Sequence, residues 1–353
     1  MSVQVVLFDT MADGRKVQKI VLENKNGTTV SAITYGATLQ SLVYRGTDIL
    51  LGYDKVSGYI NANGSFIGAS IGRFGNRIGG GKFTLNGEVI QLNCNEASRG
   101  CHLHGGNVGF DKRLWDYEVI DGEEPAVAFS LVSPDGEENY PGTMQVKVTY
   151  TLSQDDTLSI DYYAVSDKDT VINMTNHAYF NPNGYDGADI TNCLLWIGAD
   201  EITEVDKNLI PTGNFLSLDG SPLDFRTPQT IGKAFNALDE KWAAGGGIDH
   251  NFVLSRVHTA KMVDAAMVSS SDTGIRVVCR TTEPGLQIYG GHALAENDGK
   301  DGLKWGRFQG FCMETQHFPD SVNHDNFPTT VLRAGEAYIS RTEYHVDSLP
   351  IDK

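Results

Sequence analysis

Residues 143–165 read TMQVKVTYTLSQDDTLSIDYYAV. Met144, Val146, Val148, Tyr150 and Leu152 alternate with Gln145, Lys147, Thr149 and Thr151. A period of two puts apolar side chains on one face of a strand and polar ones on the other. After Gln154-Asp155-Asp156 the alternation resumes at Leu158, Ile160, Tyr162 and Ala164, so the stretch predicts an antiparallel hairpin with one buried face. The same pattern continues outward. Phe83 and Leu85 precede Asn86-Gly87, a pair that tolerates the positive φ angles of a type I′ turn. Asn26-Gly27 and Asp121-Gly122 carry that turn signal too, and Val127, Phe129 and Leu131 alternate after the latter.

Helical spacing is confined to Ile231, Phe235, Leu238 and Trp242 after Pro228, which predicts one short helix. No strand–helix–strand alternation argues for a parallel sheet. No repeat of 20–50 residues and no Pro- or Ser-rich linker divides the chain. The expectation is an all-β fold: one large antiparallel β-sandwich spanning residues 1–353 as a single domain, with few short helices.

Composition bounds the partners. Among 353 residues, 45 acidic against 28 basic side chains give a net charge of −17. Such a surface repels phosphate backbones and anionic bilayers, which excludes nucleic acid and membrane as expected partners. A 40% hydrophobic content supplies a sizeable core. Five cysteines without a Cys-x-x-Cys pair do not make a disulfide framework. The first ten residues lack a basic start and an apolar run. The expected setting is therefore the cytoplasm.

Five stretches place ionisable residues beside glycines or aromatics. Gly72-Arg73-Phe74-Gly75-Asn76-Arg77-Ile78-Gly79 is glycine-rich, but no Gly-Lys-Ser/Thr follows, so a phosphate-binding loop is not indicated. In Cys101-His102-Leu103-His104-Gly105-Gly106 the His-x-His spacing on a strand puts both rings on one face. That is a common metal-ligand spacing, for which His177, Glu314 and His317 are further candidates. An imidazole hydrogen-bonding a ligand hydroxyl is the alternative, and a buried structural histidine is another. His177, in Thr175-Asn176-His177-Ala178-Tyr179-Phe180-Asn181, sits among aromatics, where partial burial can tune it near neutrality for proton transfer. Glu314 follows the apolar run Gly310 to Met313, and a carboxylate on a buried strand costs several kcal/mol unless paired. Placement alone makes it a functional candidate. The fifth stretch, Gly245 to Phe252, contains Asp249-His250, a potential hydrogen-bonded pair.

Together these segments resemble the aldose 1-epimerases, also called galactose mutarotases, along nearly the whole chain. The matching motifs are Gly-Arg-x-x-Asn-Arg-Ile at 72–78, Leu-His-Gly-Gly at 103–106, Thr-Asn-His-x-Tyr-Phe-Asn at 175–181, Ile-Asp-His-Asn-Phe at 248–252 and Glu-Thr-Gln-His-Phe-Pro-Asp-Ser at 314–321. The resemblance implies a mutarotase-like supersandwich with a free aldose, such as galactose or glucose, in an open cleft. It implies Glu314 as general base and His177 as general acid, with His104 near the ring oxygen. Asn76, Arg77 and Asp249 would contact sugar hydroxyls, and Gln287 would occupy a variable substrate-binding position. Anomerisation stores no hydride or carbanion, so no metal or other cofactor is expected, and monomer and homodimer both stay open.

Three rivals carry different expectations. A glycoside hydrolase needs two carboxylates about 5–9.5 Å apart, for which Glu314 and Asp249 could nominally serve. A non-catalytic sugar-binding module would use the aromatics without pairing His177 with Glu314. An epimerase of phosphorylated hexoses would call for more cations than Arg73, Arg77 and their neighbours.

Overall fold

The computed structural model describes residues 2–349 except 63 and 121, so Asp121 of the Asp121-Gly122 turn lies outside the described residues. The 143–165 stretch folds as its period requires. Strands Met144–Leu152 and Thr157–Ser166 pair antiparallel from Met144↔Ser166 to Leu152↔Leu158. Met144, Val146, Val148, Tyr150 and Leu152 all point inward, while Gln145 and Lys147 are exposed.

That hairpin lies within a nine-stranded sheet. Its order is Asp116–Ile120, Ala126–Ser133, Met144–Leu152, Thr157–Ser166, Ala337–Ser348, Ile275–Thr281, Val263–Ser269, Leu194–Ile197 and Gln229–Thr230. A six-stranded sheet runs Tyr179–Phe180, Phe311–Gln316, Gly285–Tyr289, Asp249–Val253, Glu201–Val205 and Pro211–Ser217. All ladders within both sheets are antiparallel. One apolar cluster joins the layers and includes Val148, Ile160, Val277, Leu286, Phe311 and Met313. Burying a side chain of this size stabilises by about 1.5–3 kcal/mol. Direct contacts cross the gap as well. The Tyr344 hydroxyl donates to the Met313 carbonyl at 2.8 Å, and the Phe180 and Tyr344 rings lie 4.7 Å apart. A five-stranded sheet over residues 2–48 adds Ile20, Leu22, Val30 and Leu39 to the same cluster.

Turn chemistry explains the local detail. Asn86 and Gly87 adopt φ 52° and 84° between Lys82–Leu85 and Glu88–Gln91, a type I′ hairpin. At Asn26-Gly27 only the glycine is left-handed, because Asn24 Oδ1 accepts from both Asn26 N–H and Thr28 N–H and shapes a wider loop. The helix after Pro228 covers Ile231–Asn236, capped by Thr230 accepting from Lys233 N–H. Leu238 and Trp242 fall beyond its end. A second helix, Val56–Asn61, has no periodic signal and no side-chain cap. Packing of Tyr59 on Phe8 and Tyr53 holds it instead. No helix among the described residues is long and apolar enough to cross a membrane.

Candidate active site

The strand Phe311–Gln316 is buried on both faces. Its odd residues meet the nine-stranded sheet. Its even residues, Cys312, Glu314 and Gln316, therefore share the opposite face. Gln287 stands opposite Glu314 and Asn251 opposite Gln287, so a polar row crosses three strands. Glu314 is only 2% exposed, and its Oε2 has no hydrogen-bond partner. Burial pushes the carboxyl well above the usual carboxylate range. Asp249 adds to the rise and Arg77 opposes it.

His177 arrives from the turn between Thr175–Asn176 and Tyr179–Phe180. Its N–H donates to the Ala69 carbonyl and its own carbonyl accepts from Gly68 N–H. Asn176 staples this turn, its amide donating to the Gly68 carbonyl and its Oδ1 accepting from Ala178 N–H. The asparagine of the motif thus shapes the backbone that presents the histidine. The imidazole lies between two rings, Tyr179 at 5.1 Å and Phe66 at 5.7 Å, both near-parallel to it. His177 Nε2 stands 3.7 Å from Glu314 Oε1. Burial pulls His177 down to about 4, with Asp249 pulling weakly the other way. The expected tuning near neutrality is not what the fold provides, because the ring is almost wholly enclosed.

His104 follows the strand Cys101–Leu103 and turns left-handed at φ 48°. Its Nδ1 accepts the Asn76 N–H at 3.0 Å. The neutral ring must therefore carry its proton on Nε2. Burial first, then His177 and Arg77, hold its pKa well below the ordinary value. Gly105 (φ 84°) makes the turn possible, since a Cβ there would collide with the Gly72 carbonyl. Gly105→Ala is expected to destabilise by more than about 1 kcal/mol, read as a lowered melting temperature, and to displace His104.

Arg77 Nε donates to Glu96 Oε2 at 2.7 Å, and its Nη1 lies 3.7 Å from Asp249 Oδ2. Burial opposes its charge, but Asp249 and Glu96 outweigh it and raise the pKa. Asp249 Oδ1 also accepts from Gln287 Nε2 at 2.6 Å. Asn76 Oδ1 accepts from Arg77 N–H.

These groups line a cavity of about 260 Å³. It falls just under the roughly 300–1,000 Å³ typical of drug-sized ligands and suits a small one. Six of the seven expected residues line it: Asn76, Arg77, His104, His177, Asp249 and Glu314. Gln287 does not, but stands behind Asp249 and orients it. Phe66, Glu96, Arg99, Tyr289 and His292 also line the cavity. No motif or spacing announced them.

Three readings need correction. His102 and His104 do not share a face. His102 is bound to the Asn93 carbonyl and the Tyr140 hydroxyl in a separate cluster, because the chain leaves the strand at His104. Arg73 is not in the cleft; its buried guanidinium donates to the carbonyls of Ser133, Pro134 and Pro141. His317 pairs with buried Glu283 instead. Asp249 and His250 do form the hydrogen-bonded pair, the Asp249 backbone N–H donating to His250 Nδ1 at 3.2 Å. His104, His177 and Glu314 do bring one potential ligand atom each within 4.8 Å of one another. A metal on His104 Nε2 would require a proton on Nδ1, where the Asn76 N–H already points. The Asn76 N–H thus opposes coordination at His104 Nε2.

The family model described as aldose 1-epimerase matches residues 18–345. The chain is 37% identical over 341 residues to the galactose mutarotase of Rattus norvegicus, covering 95% of each chain. It is 37% identical over 339 residues to the aldose 1-epimerase of Escherichia coli K12, covering 94% of this chain and 96% of the other. Among solved structures, the galactose 1-epimerase of Lactobacillus acidophilus superposes with TM-score 0.86 at 28% identity, covering 98% and 99% of the two chains.

Proposed function

Because the chain belongs to the aldose 1-epimerase family, and is an isomerase of that class, we propose that Glu314 and His177 together move the protons that interconvert the α and β anomers of galactose and glucose. The observation that carries this reading is their 3.7 Å approach in the lining of the small cavity. Opening a hemiacetal moves a proton off the C1 hydroxyl and another onto the ring oxygen. Both oxygens sit on the same carbon, so base and acid must converge, as these two side chains do.

In the form that reacts, the pair's single proton sits on His177 rather than on Glu314; Glu314 then takes the proton from the C1 hydroxyl as His177 gives its own to the ring oxygen. The chain opens, rotates about C1–C2 and recloses with the transfers reversed. His104, with its proton fixed on Nε2, donates a hydrogen bond to the ring oxygen and exchanges no proton. Asp249, oriented by Gln287 and Arg77, accepts from sugar hydroxyls, and Asn76 adds an amide. General acid and base groups each contribute about 10²–10⁴-fold, together about 5–11 kcal/mol of barrier. Asp249 is held by Gln287 beside Arg77, so it serves poorly as the second carboxylate of a hydrolase. We read the chain as one domain acting in the cytoplasm, as monomer or homodimer, without nucleic-acid or membrane partners. Its net charge of −17 and five unbridged cysteines support that reading.

Polarimetry on freshly dissolved α-galactose and α-glucose should show mutarotation well above the buffer rate. A trace matching buffer alone would sink the reading. The pH profile follows from the pair as a unit, which must hold one transferable proton. Below about 4 both groups are protonated and no base remains. Above the raised value of Glu314 the proton is lost and no acid remains. The acid limb of kcat/KM is therefore expected near 4, and the rate should show no rise through 6.5, where an ordinary histidine titrates.

A further inference from the structure

His104 and His177 differ in what faces Nδ1. At His104 it is a backbone N–H, a donor that cannot become an acceptor. At His177 it is the sulfur of Cys312, 3.4 Å away. We propose that Cys312 is a positioning residue for the anomerisation, its sulfur accepting the Nδ1–H of His177 so that Nε2 is the nitrogen that loads and unloads a proton beside Glu314. This rests on His177 being the proton carrier.

The strand geometry makes the contact. Cys312 lies two residues before Glu314, on the same face of Phe311–Gln316, and pairs directly with Tyr179 on the neighbouring strand. The base and the group that orients the acid are thus set by one strand. Burial pushes the thiol well above its ordinary value, so the sulfur is a neutral acceptor. The Tyr179 hydroxyl acts on the same thiol, while the Tyr179 ring stacks on the imidazole. A carboxylate in this place would stabilise the imidazolium and hold its proton. A neutral sulfur fixes the tautomer without doing so.

The proton count closes. Nδ1 keeps its hydrogen throughout. Nε2 gives one proton to the ring oxygen as Glu314 takes one from the C1 hydroxyl, and both return on closure. The groups facing His177 are Glu314, Cys312, His104, Asp249 and Tyr179. None of them is a fixed acceptor for Nδ1 except the sulfur.

The test compares Cys312→Ser and Cys312→Ala in polarimetric kcat and KM across pH, with His177→Asn alongside and melting curves for all. The loss of one neutral hydrogen bond is worth about five- to tenfold. Cys312→Ala is expected to lose that much in kcat, with KM held and the acid limb displaced. Cys312→Ser, which keeps an acceptor, should recover most of the rate. Cys312→Ala with unchanged kcat and pH profile overturns the proposal, as does an equal fall in both variants, which would mean packing alone. If His177→Asn also keeps its activity, the proton-carrier reading fails as well. If His177→Asn is inactive and Cys312→Ala is silent, only the positioning role is lost.

Discussion

Glu314→Gln is expected to lower kcat by about 10²–10⁴-fold while KM for galactose changes little. The amide keeps the shape of the carboxyl on its buried strand but cannot accept the C1 proton. It also removes the one transferable proton of the pair. Stability should move the other way. In the unfolded chain this carboxyl ionises near 4.3, whereas in the folded protein it is held protonated well above that. A raised pKa means that stability is lost as pH climbs past the unfolded value. Replacing the carboxyl by a neutral amide should therefore raise the melting temperature at pH 7. Polarimetry and a thermal melt on the same preparation check both signs. A variant of near-normal turnover would overturn the assignment of the base.

His177→Asn should cost about 10²–10⁴-fold in kcat as well, and the two histidines separate cleanly. His104 cannot become an imidazolium without setting its Nδ1–H against the Asn76 N–H. It therefore acts as a hydrogen-bond donor only. His104→Asn is expected to cost less than His177→Asn and to leave the acid limb near 4, because the titrating pair is intact. His177→Asn should abolish that limb altogether. If His104→Asn erased the limb and His177→Asn kept it, the acid would be His104.

Much of this was legible in the chain because two physical patterns are short-ranged. A period of two over Met144 to Ala164 can only bury one face of a strand, and the two strands pair antiparallel as that pattern requires. A lone carboxylate after Gly310 to Met313 marked Glu314, since an ionisable group on an apolar strand is a cost that needs a reason. What could not be read depends on partners far along the chain. Arg73 resembles a loop charge until the carbonyls of Ser133 to Pro141 enclose it. His102 and His104 look like one face until the backbone turns left-handed at the second. The burial that lowers the His177 pKa depends in part on Phe66, more than a hundred residues earlier. Glu96 and Arg99 precede Leu-His-Gly-Gly without any spacing that marks them.

The clamp on Arg77 reaches beyond catalysis. Arg77 is bridged between Glu96 and Asp249 and Arg99 is held by Glu96, so neither guanidinium lining the chamber offers a free positive charge to an incoming anion. A sugar bearing a phosphate or a carboxylate would have to break that bridge and bring its charge beside the displaced acids. The chamber is therefore expected to disfavour anionic sugars before any hydroxyl is inspected.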